Sequence, residues 1–419
     1  MIFLKLVLQL TFLTLLASSS SVRNKGKHSP WKTLDGTPTL LFAHRGEKVL
    51  LPEHTVPGYE TASILGADFV EPDLCLTKDD QFVCHHDLFL RDGSDVENHP
   101  EFEHLKRKTP DGFNWFIRDF TLAELKTLRI VQQNTGIRPQ DYNGFFTIPT
   151  FQEYLGVIHR MTFKLNRTIG IVPELKNPSF HNANRTSNFM EKLLLQTLAE
   201  HGYPINLISD GYCEATVDGG KHPIPCPPVI VQCFETPALE YLKSQSDLEL
   251  LQLIQDQAEL LTYKGIKEVS KVAKYYSTWK EYLYVGVAAE MTYNNKTWNE
   301  TLIDSLGGFV PARKFAKEVH RHGMKVVLFT FHDSREPSTR GCAVVPGCQP
   351  EDKTKELDYF FELGVDGIFI ENVAESRAIL MDFEAQEEIR GVRRSARNFA
   401  SALATYTCNV SGYLCGYSS

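Results

Sequence analysis

The chain has 419 residues, of which 42% are hydrophobic and 23% are charged, a composition that excludes wholesale disorder and predicts a globular protein. Lys and Arg number 44 against 52 Asp and Glu, and the resulting net charge of −8 argues against a protein that wraps nucleic acid or lies on an acidic membrane. Nine cysteines without paired CxxC spacing indicate neither a disulfide scaffold nor a structural zinc site.

Residues 1–21 have the pattern of a secretory signal peptide. One positive charge at Lys5 precedes the apolar run 6–17, and the small residues that follow offer a cleavage site. A buried N-terminal helix or an uncleaved anchor are the alternatives, but the run is shorter than the roughly 20 residues that span a bilayer. We therefore expect a secreted or lumenal protein whose mature chain has no transmembrane segment.

Five N-x-[ST] sequons agree with export; they begin at Asn166, Asn184, Asn295, Asn299 and Asn409. In an oxidising compartment three cysteine pairs are candidates for loop-closing disulfides, namely Cys213/Cys226, Cys342/Cys348 and Cys408/Cys415. Because the cysteine count is odd, at least one thiol stays free or pairs outside the chain.

Short apolar runs rich in β-branched residues alternate with amphipathic helical segments along the rest of the chain. The predicted strands are 39–43, 68–74, 169–173, 228–234, 248–254, 282–289, 325–330 and 365–370. Helices are predicted at 55–65, 187–201, 237–243, 266–275, 311–321 and 352–363. Eight strands with intervening helices predict an α/β protein, specifically a TIM-type (β/α)8 barrel.

We expect the barrel to occupy residues 39–372. The turn-rich segment 88–147, with a helix predicted at 121–127, is expected to be an insertion between the second and third strands. Residues 373–419 form a C-terminal tail to which the sequence assigns no role.

Polar residues stand at the ends of the first three predicted strands and just beyond the second. They are His44, Arg45, Glu71, Asp73, His86, Glu174 and Lys176. Because a barrel builds its active site at the carboxyl ends of its strands, these residues should meet at one mouth. Glu71 and Asp73 are two residues apart and share one face of a strand. With Glu174 they form an oxygen ligand set suited to Mg²⁺ or Ca²⁺.

A divalent cation would remove the repulsion among these three carboxylates and would polarise a phosphoryl oxygen. Arg45 and Lys176 are expected to hold phosphate oxygens, since a guanidinium binds two of them and an ammonium acts as a point charge. Histidine exchanges a proton near neutral pH, so His44 and His86 are the expected acid–base pair.

The choice of His86 over its neighbour depends on the register of a predicted hairpin. If the turn lies at residues 79–80, antiparallel partners sum to 159, which places His86 opposite Asp73 and turns His85 away. The same register pairs Cys75 with Cys84, either as a cross-strand disulfide or as two free thiols.

These residues belong to motifs that resemble those of the glycerophosphodiester phosphodiesterase family. The matching segments are His44-Arg-Gly, Pro52-Glu-His-Thr55, Gly66-Ala-Asp-Phe-Val-Glu71-Pro-Asp73, Thr77-Lys-Asp-Asp80, His86-Asp87, Pro173-Glu-Leu-Lys176 and Val365-Asp-Gly-Ile-Phe. The resemblance spans about residues 39–372 and implies a metal-dependent phosphodiesterase on a TIM-type barrel. It implies the same roles for the seven site residues. Glu53 and Thr55 fall in the family's Pro-Glu-Asn/His-Thr segment, but Thr55 is more simply the N-cap of the following helix.

The sequence departs from the family pattern late in the chain. Many members have Thr-Asp where this chain has Ile370-Glu371, and residues 330–333 match no family pattern. We expect both segments to line the pocket, so the departures bear on headgroup preference more than on chemistry.

The expected reaction is hydrolysis of a small-molecule glycerophosphodiester, such as glycerophosphocholine, to an alcohol and sn-glycerol 3-phosphate. Phospholipase-D-like cleavage of lysophospholipid or sphingolipid headgroups is the alternative, which an apolar rim at the mouth would favour. A non-enzymatic secreted binding protein would be expected to have lost a histidine or an acid, and the chain keeps all seven key residues. The sequence leaves open the metal, the acid and base assignment, and the oligomeric state.

Overall fold

The computed structural model describes residues 29, 31–110, 112–133, 138–207, 211–332 and 353–410, with side chains in the last range up to residue 391. The predicted signal peptide lies outside the described residues. The strands are β1 (Leu40–Ala43), β2 (Phe69–Val70), β3 (Asp73–Leu76), β4 (Phe82–Cys84), β5 (Lys106–Thr109), β6 (Gly112–Trp115), β7 (Gly170–Ile171), β8 (Glu174–Leu175), β9 (Cys213–Val217), β10 (Gly220–Ile224), β11 (Ile230–Cys233), β12 (Glu249–Ile254), β13 (Tyr275–Trp279), β14 (Lys325–Phe331) and β15 (Gly367–Ile370).

The α-helices connect these strands and follow them along the outside of the sheet. They are α1 (Val56–Ile64), α2 (Leu122–Leu125), α3 (Phe151–Leu165), α4 (Pro178–Asn182), α5 (Phe189–Glu200), α6 (Thr236–Gln245), α7 (Tyr263–Val269), α8 (Val287–Tyr293), α9 (Glu300–Ser305), α10 (Phe315–Arg321), α11 (Lys353–Leu363) and α12 (Val373–Val410). Thr55 is the N-cap of α1, as predicted, because its side chain accepts a hydrogen bond from the backbone nitrogen of Gly58.

Parallel pairing closes the sheet into a barrel. β2 and β3 form one barrel strand interrupted at residues 71–72, and β7 and β8 form the next, interrupted at residues 172–173. Pairing runs from β1 through β2 to β7, from β3 through β8 to β11, and onward through β12, β13, β14 and β15 back to β1. The TIM-type barrel predicted from the alternation of strands and helices is confirmed.

The inside of the barrel is filled by large apolar side chains that come from alternate positions of the strands: Phe42, Phe69, Val172, Ile230, Leu251, Leu253, Tyr275, Val327 and Phe369. The ring of Phe42 lies 4.9 Å from that of Phe69 and 5.0 Å from that of Phe369. A Cβ at Gly170 would lie 2.2 Å from the Phe69 ring, so only glycine fits there. Burying each such ring contributes roughly 1.5–3 kcal/mol to stability.

The sixth barrel strand lies outside the segment predicted for it. Residues 282–289 were expected to be a strand, but they include the end of a 3₁₀ turn (Lys280–Leu283) and the beginning of α8. β13 is the sixth strand instead, and it pairs with β12 and β14. Gly286 has a φ of 93°, which breaks the extended backbone at the middle of the predicted strand.

The insertion forms a small layer over the β3–β4 hairpin. It contains the β5–β6 hairpin, α2 and several 3₁₀ turns, and it buries an apolar cluster that includes Leu90, Trp115 and Phe120. Cys75 and Val83 of the hairpin belong to this cluster, so the insertion is packed directly on the barrel. The sequence did not predict α3, which follows the insertion, or the β9–β10 hairpin.

The cysteine predictions have mixed outcomes. Cys213 and Cys226 form the predicted disulfide. Cys75 and Cys84 are free thiols, because the hairpin pairs Cys75 with Val83 and Leu74 with Cys84, one residue away from the predicted register. The other two predicted pairs involve side chains outside the described residues.

The predicted tail is helical from Val373 to Val410, and its first turns pack on the barrel. The Arg377 guanidinium donates to the carbonyl oxygen of Gly66 at 3.0 Å and to the carboxylate of Asp68 at 2.7 Å. Within the described part of the chain, no helix combines the length and the apolarity that a bilayer crossing requires.

Candidate active site

Three buried carboxylates meet at the carboxyl end of the second and third barrel strands. Glu71 interrupts the second strand, Asp73 begins β3, and Glu174 begins β8. Asp73 and Glu174 are register partners, and one oxygen from each of the three side chains lies within 4.8 Å of the others. The sheet therefore brings together the three acids that the sequence predicted as metal ligands.

Two cations lie against these carboxylates, as predicted for the residues expected to hold phosphate. The Nε atom of Arg45 lies 3.3 Å from Oδ2 of Asp73, and the Nζ atom of Lys176 lies 2.7 Å from Oε1 of Glu174. Arg45 also donates through Nη1 to both carboxylate oxygens of Glu53, at 3.1 and 3.0 Å. Both cations line the open cavity and can reach an anion there.

The electrostatic environment shifts the pKa values of the three acids in different directions. Burial, together with the charges of Asp73 and Glu174, raises the pKa of Glu71 well above its usual value. Burial and the charge of Asp73 outweigh Lys176 and raise the pKa of Glu174 to about 7. The pKa of Asp73 is lowered, because Lys176, His54 and Arg45 outweigh the effect of its burial. Without further positive charge, three carboxylates do not stay ionised together at this position.

The residues present fit a divalent cation. Each acid offers an oxygen, the cluster contains no sulfur donor, and all three side chains are buried. The Oδ1 atom of Asp73 is buried and has no hydrogen-bond partner among the described residues, although buried carboxylate oxygens are normally paired. Hard oxygen donors of this kind suit Mg²⁺ or Ca²⁺.

Two residues that the sequence did not single out hold the acids in place. The Nε2 atom of His54 lies 2.8 Å from Oδ2 of Asp73, and its Nδ1 atom lies 2.8 Å from the hydroxyl of Tyr59. Gln232, on β11, donates to Oε1 of Glu71 at 2.6 Å. His54 stands inside the Pro-Glu-His-Thr motif, so its position was a signal, whereas no sequence signal marked Gln232.

Arg45 and His54 both have left-handed backbone conformations, with φ of 63° and 53°. Their backbones are joined directly, because the nitrogen of His54 donates to the carbonyl oxygen of Arg45 at 3.0 Å. Such conformations cost roughly 1–3 kcal/mol each for residues other than glycine, and they concentrate at functional sites. The loop after β1 is therefore strained where it presents Arg45 to Asp73.

His44 directly follows β1 and lies between two carboxylates. Its Nε2 atom is 4.0 Å from Oε2 of Glu71, and its Nδ1 atom is 3.5 Å from Oε1 of Glu371. Burial and the nearby charges of Arg45 and Lys48 lower its pKa well below the usual value. His44 is therefore held neutral at the edge of the acid cluster.

His86 lies on the loop after β4 and lines the same cavity, whereas His85 is buried. The Nδ1 atom of His86 is 2.8 Å from Oδ1 of Asp87. Burial and the charges of Arg45 and Lys176 lower the pKa of His86 to about 4. His85 faces the backbone instead, with its Nδ1 atom 2.9 Å from the carbonyl oxygen of Asp87.

The cavity has a volume of about 490 Å³ and two unlike walls. One wall, from the ends of the first three barrel strands and the loop after β4, carries charged and polar groups: His44, Arg45, Glu71, His86, Asp87, Glu174 and Lys176. The other wall is mostly apolar and comes from the remaining strands and the beginning of the insertion: Leu88, Phe89, Phe234, Leu253, Trp279, Phe329 and Phe369. Six of the seven predicted site residues line this cavity, and the seventh, Asp73, is buried behind them.

The segments that depart from the family pattern were both expected to line the pocket. Thr330 does so, but Glu371 is not a lining residue; it is fully buried beside the cavity. Lys48 and Arg138 each reach Glu371 with a nitrogen–oxygen distance of 2.8 Å, which explains its burial. The remainder of the segment 330–333 is described only as far as His332.

Comparison with known proteins identifies the family of the chain. Residues 44–375 match the model of the glycerophosphoryl diester phosphodiesterase family. A glycerophosphodiester phosphodiesterase of Arabidopsis thaliana, GDPD6, is 30% identical over 382 residues, which are 87% of this chain and 94% of that protein. A Bacillus subtilis glycerophosphodiester phosphodiesterase is 29% identical over 64% of this chain and 75% of its own.

A solved structure gives the same result for the fold. The Silicibacter pomeroyi protein, assigned as a glycerophosphoryl diester phosphodiesterase, has a TM-score of 0.52 and 15% sequence identity. The similarity covers 83% of this chain and 94% of that protein. With a family match over most of its length and the motif residues gathered at the mouth of a TIM-type barrel, the chain belongs to the glycerophosphoryl diester phosphodiesterase family of enzymes.

Proposed function

We propose that this enzyme hydrolyses small glycerophosphodiesters, such as glycerophosphocholine, to an alcohol and sn-glycerol 3-phosphate. The proposal includes a requirement for a divalent cation and acid–base catalysis by His44 and His86. The observation that carries it is that both histidines, two cations and the acid cluster open to a single cavity. This arrangement matches the chemistry of a phosphodiester, which needs charge neutralisation and two proton transfers.

The chain's own residues account for binding of the anionic group. Arg45 and Lys176 lie on the charged wall and would each contact a non-bridging phosphate oxygen. Glu71, Asp73 and Glu174 would hold the cation, which would polarise a phosphoryl oxygen when bound. Mg²⁺ and Ca²⁺ both fit three carboxylate ligands.

The two histidines would divide the proton transfers between them. The 2-hydroxyl of glycerol attacks phosphorus and gives its proton to one histidine, which becomes an imidazolium, while the bond from phosphorus to the alcohol oxygen breaks and the other histidine, entering as an imidazolium, protonates that oxygen. A five-membered cyclic phosphate results. Water then adds to phosphorus, the transfers run in the opposite direction, the ring opens, and sn-glycerol 3-phosphate is released.

The apolar wall supports a second candidate, cleavage of lysophospholipid headgroups. The sequence suggested no apolar rim in the insertion, yet Leu88 and Phe89 line the cavity with Phe234, Trp279 and Phe329. An acyl chain would gain about 25 cal/mol for each Å² of apolar surface buried against these side chains. A small diester would instead place its glycerol carbons there.

Identifying the reaction product and the preferred substrate tests both candidate activities. The purified enzyme should convert glycerophosphocholine to sn-glycerol 3-phosphate and choline. The two products can be monitored by ³¹P NMR and by a choline assay. We expect slower turnover of lysophosphatidylcholine. His44→Ala should be inactive, while His104→Ala, a change at an exposed histidine of the insertion, should keep normal turnover. Release of phosphocholine, or no turnover of either substrate, would contradict the proposal. Faster turnover of lysophosphatidylcholine would favour the second candidate.

A further inference from the structure

We propose that Glu371 is a positioning residue for His44, and that the insertion takes part in catalysis by holding Glu371 through Arg138. This inference rests on the proposed function, because it assigns His44 a proton transfer. Sequence comparison marked Glu371 only as a departure from the family pattern, and no role follows from its position in the chain alone.

Glu371 occupies a fixed position between the last and first barrel strands. It directly follows β15, whose Ile370 pairs with Ala43 at the end of β1, so His44 and Glu371 extend from neighbouring strand ends. The backbone nitrogen of His44 donates to the carbonyl oxygen of Ile370 at 2.9 Å. The distance between the two side chains is therefore set by the barrel.

Three cationic or polar donors converge on the Glu371 carboxylate and immobilise it. The Nζ atom of Lys48 lies 2.8 Å from Oε1, and the Nη2 atom of Arg138 lies 2.8 Å from Oε2. The Nδ1 atom of His332 lies 3.1 Å from Oε1. The carboxylate has no solvent exposure, so these groups compensate its charge and keep it ionised and fixed beside His44.

The geometry of His44 shows what this carboxylate does. Nδ1 of His44 is buried, makes no hydrogen bond within the described residues, and has the carboxylate oxygen Oε1 of Glu371 3.5 Å away. A carboxylate at this nitrogen favours the proton on Nδ1, which leaves Nε2 to exchange the proton with substrate. The Nε2 atom of His44 points toward the cavity and lies 4.0 Å from Oε2 of Glu71. His86 has the same arrangement with Asp87, whose Oδ1 lies 2.8 Å from Nδ1.

Arg138 connects the insertion to the Glu371 carboxylate. It comes from the distal part of the segment 88–147, yet only 5% of it is exposed, and it reaches the end of the last barrel strand. Gln132, from the same segment, donates to the carbonyl oxygen of Lys48 at 3.1 Å. The insertion thus holds both Glu371 and the loop that carries its other cation.

The chain offers a matched control on the same strand. Asp366 lies directly before β15, whereas Glu371 lies directly after it. Asp366 is also buried and also faces a histidine, with Oδ2 2.7 Å from Nε2 of His320, but it lies at the amino end of the barrel. Residues at that end support stability and not chemistry.

The test compares Glu371→Gln, Glu371→Asp and Asp366→Asn as folded proteins with glycerophosphocholine. We expect Glu371→Gln to lower kcat by about 10–100-fold with little change in KM, a loss typical of groups that orient a catalytic imidazole. Glu371→Asp, which keeps the charge, should recover most of that loss, and Asp366→Asn should lower thermal stability with kcat unchanged. A kcat for Glu371→Gln less than twofold below that of Asp366→Asn, or a kcat for Glu371→Asp no higher than that of Glu371→Gln, would overturn the proposal.

A second measurement separates this proposal from the proposed function. In ¹⁵N-histidine-labelled protein, the His44 ring signals can be identified by their loss in His44→Ala. They should show the proton on Nδ1 in the wild type and a mixture of tautomers in Glu371→Gln. Unchanged His44 signals in Glu371→Gln would overturn the positioning role, whereas failure of the wild type to cleave glycerophosphocholine would overturn the proposed function alone.

Discussion

The backbone nitrogen of His85 donates a hydrogen bond to the carbonyl oxygen of Asp73 at 2.9 Å, so these two residues face each other across the β3–β4 hairpin. The sequence predicted that Asp73 would face His86, which is wrong by one residue. His86 nevertheless lines the cavity, because it lies beyond the end of β4, where the alternation of the strand no longer fixes the direction of its side chain.

Substitution of the two adjacent histidines should have unlike effects. His86→Ala removes the histidine that we propose exchanges a proton with substrate, and it should lower kcat by roughly 10²–10⁴-fold. His85→Ala should lower thermal stability while kcat stays close to normal, since His85 is buried and its ring makes its hydrogen bond to the backbone carbonyl of Asp87. Steady-state assays at saturating metal check both variants. If excess metal restores His86→Ala, or if His85→Ala is the inactive variant, the assignment is wrong.

The barrel could be predicted from the sequence because its strands are short β-branched runs separated by helices. The exception was the sixth strand, where residues 275–279 (Tyr-Tyr-Ser-Thr-Trp) and 282–289 both contain two tyrosines and other residues that are common in strands. Local composition does not distinguish such neighbouring segments. The choice is made by pairing with β12 and β14, which is a long-range effect.

The charged wall of the candidate site could also be predicted, because its residues stand directly at strand ends. Two of the residues that hold the charged side chains in place could not be predicted. Gln232 and Arg138 come from distant segments and reach Glu71 and Glu371 only in the folded chain. No local pattern distinguishes a buried Arg138 from an ordinary exposed arginine, so its role emerges from the contact alone.

The N-terminal segment makes a prediction about maturation. Expressed in secretory cells, the protein should appear in the medium or in a lumenal compartment, shortened near residue 21. The sequon asparagines Asn166, Asn184, Asn295 and Asn299 are exposed, so enzymatic deglycosylation should increase its mobility on a gel. N-terminal sequencing and the gel shift check the two parts. An intact Met1 form in the cytosol would contradict the prediction.

Loss of the disulfide between Cys213 and Cys226 should destabilise the enzyme. The bond closes a loop with a sequence separation of 13 around the β9–β10 hairpin. A loop of this size corresponds to roughly 3 kcal/mol of unfolding free energy. Cys213→Ser, Cys226→Ser and the double variant should therefore show similar losses in denaturant unfolding, because each breaks the same bond. A double variant as stable as the wild type would show that the bond contributes nothing.

His159 should make stability depend on pH below neutrality. It is buried on α3, with Nδ1 3.1 Å from the carbonyl oxygen of Glu214 and Nε2 3.0 Å from the hydroxyl of Tyr203. Burial lowers its pKa to about 4, below the value near 6.5 in the unfolded chain. The unfolded state therefore binds the extra proton first, and stability falls as the pH drops from about 6.5 to about 4.

The size of this effect can be isolated with His159→Gln, which keeps hydrogen-bonding groups but does not titrate. The wild type should lose up to about 3 kcal/mol more than the variant between pH 7 and pH 4, because each unit of pKa shift corresponds to about 1.4 kcal/mol. Denaturant unfolding at several pH values checks this difference. Parallel pH profiles for the two proteins would show that His159 is already accessible to protons in the folded state.

The requirement for a divalent cation at Glu71, Asp73 and Glu174 is the central claim about this site. The most direct measurement is turnover of glycerophosphocholine by the purified enzyme after chelation and after addition of single metals. The account predicts that chelation abolishes turnover and that Mg²⁺ or Ca²⁺ restores it better than Zn²⁺, since all three ligands are hard oxygens. Full turnover in excess chelator would contradict it.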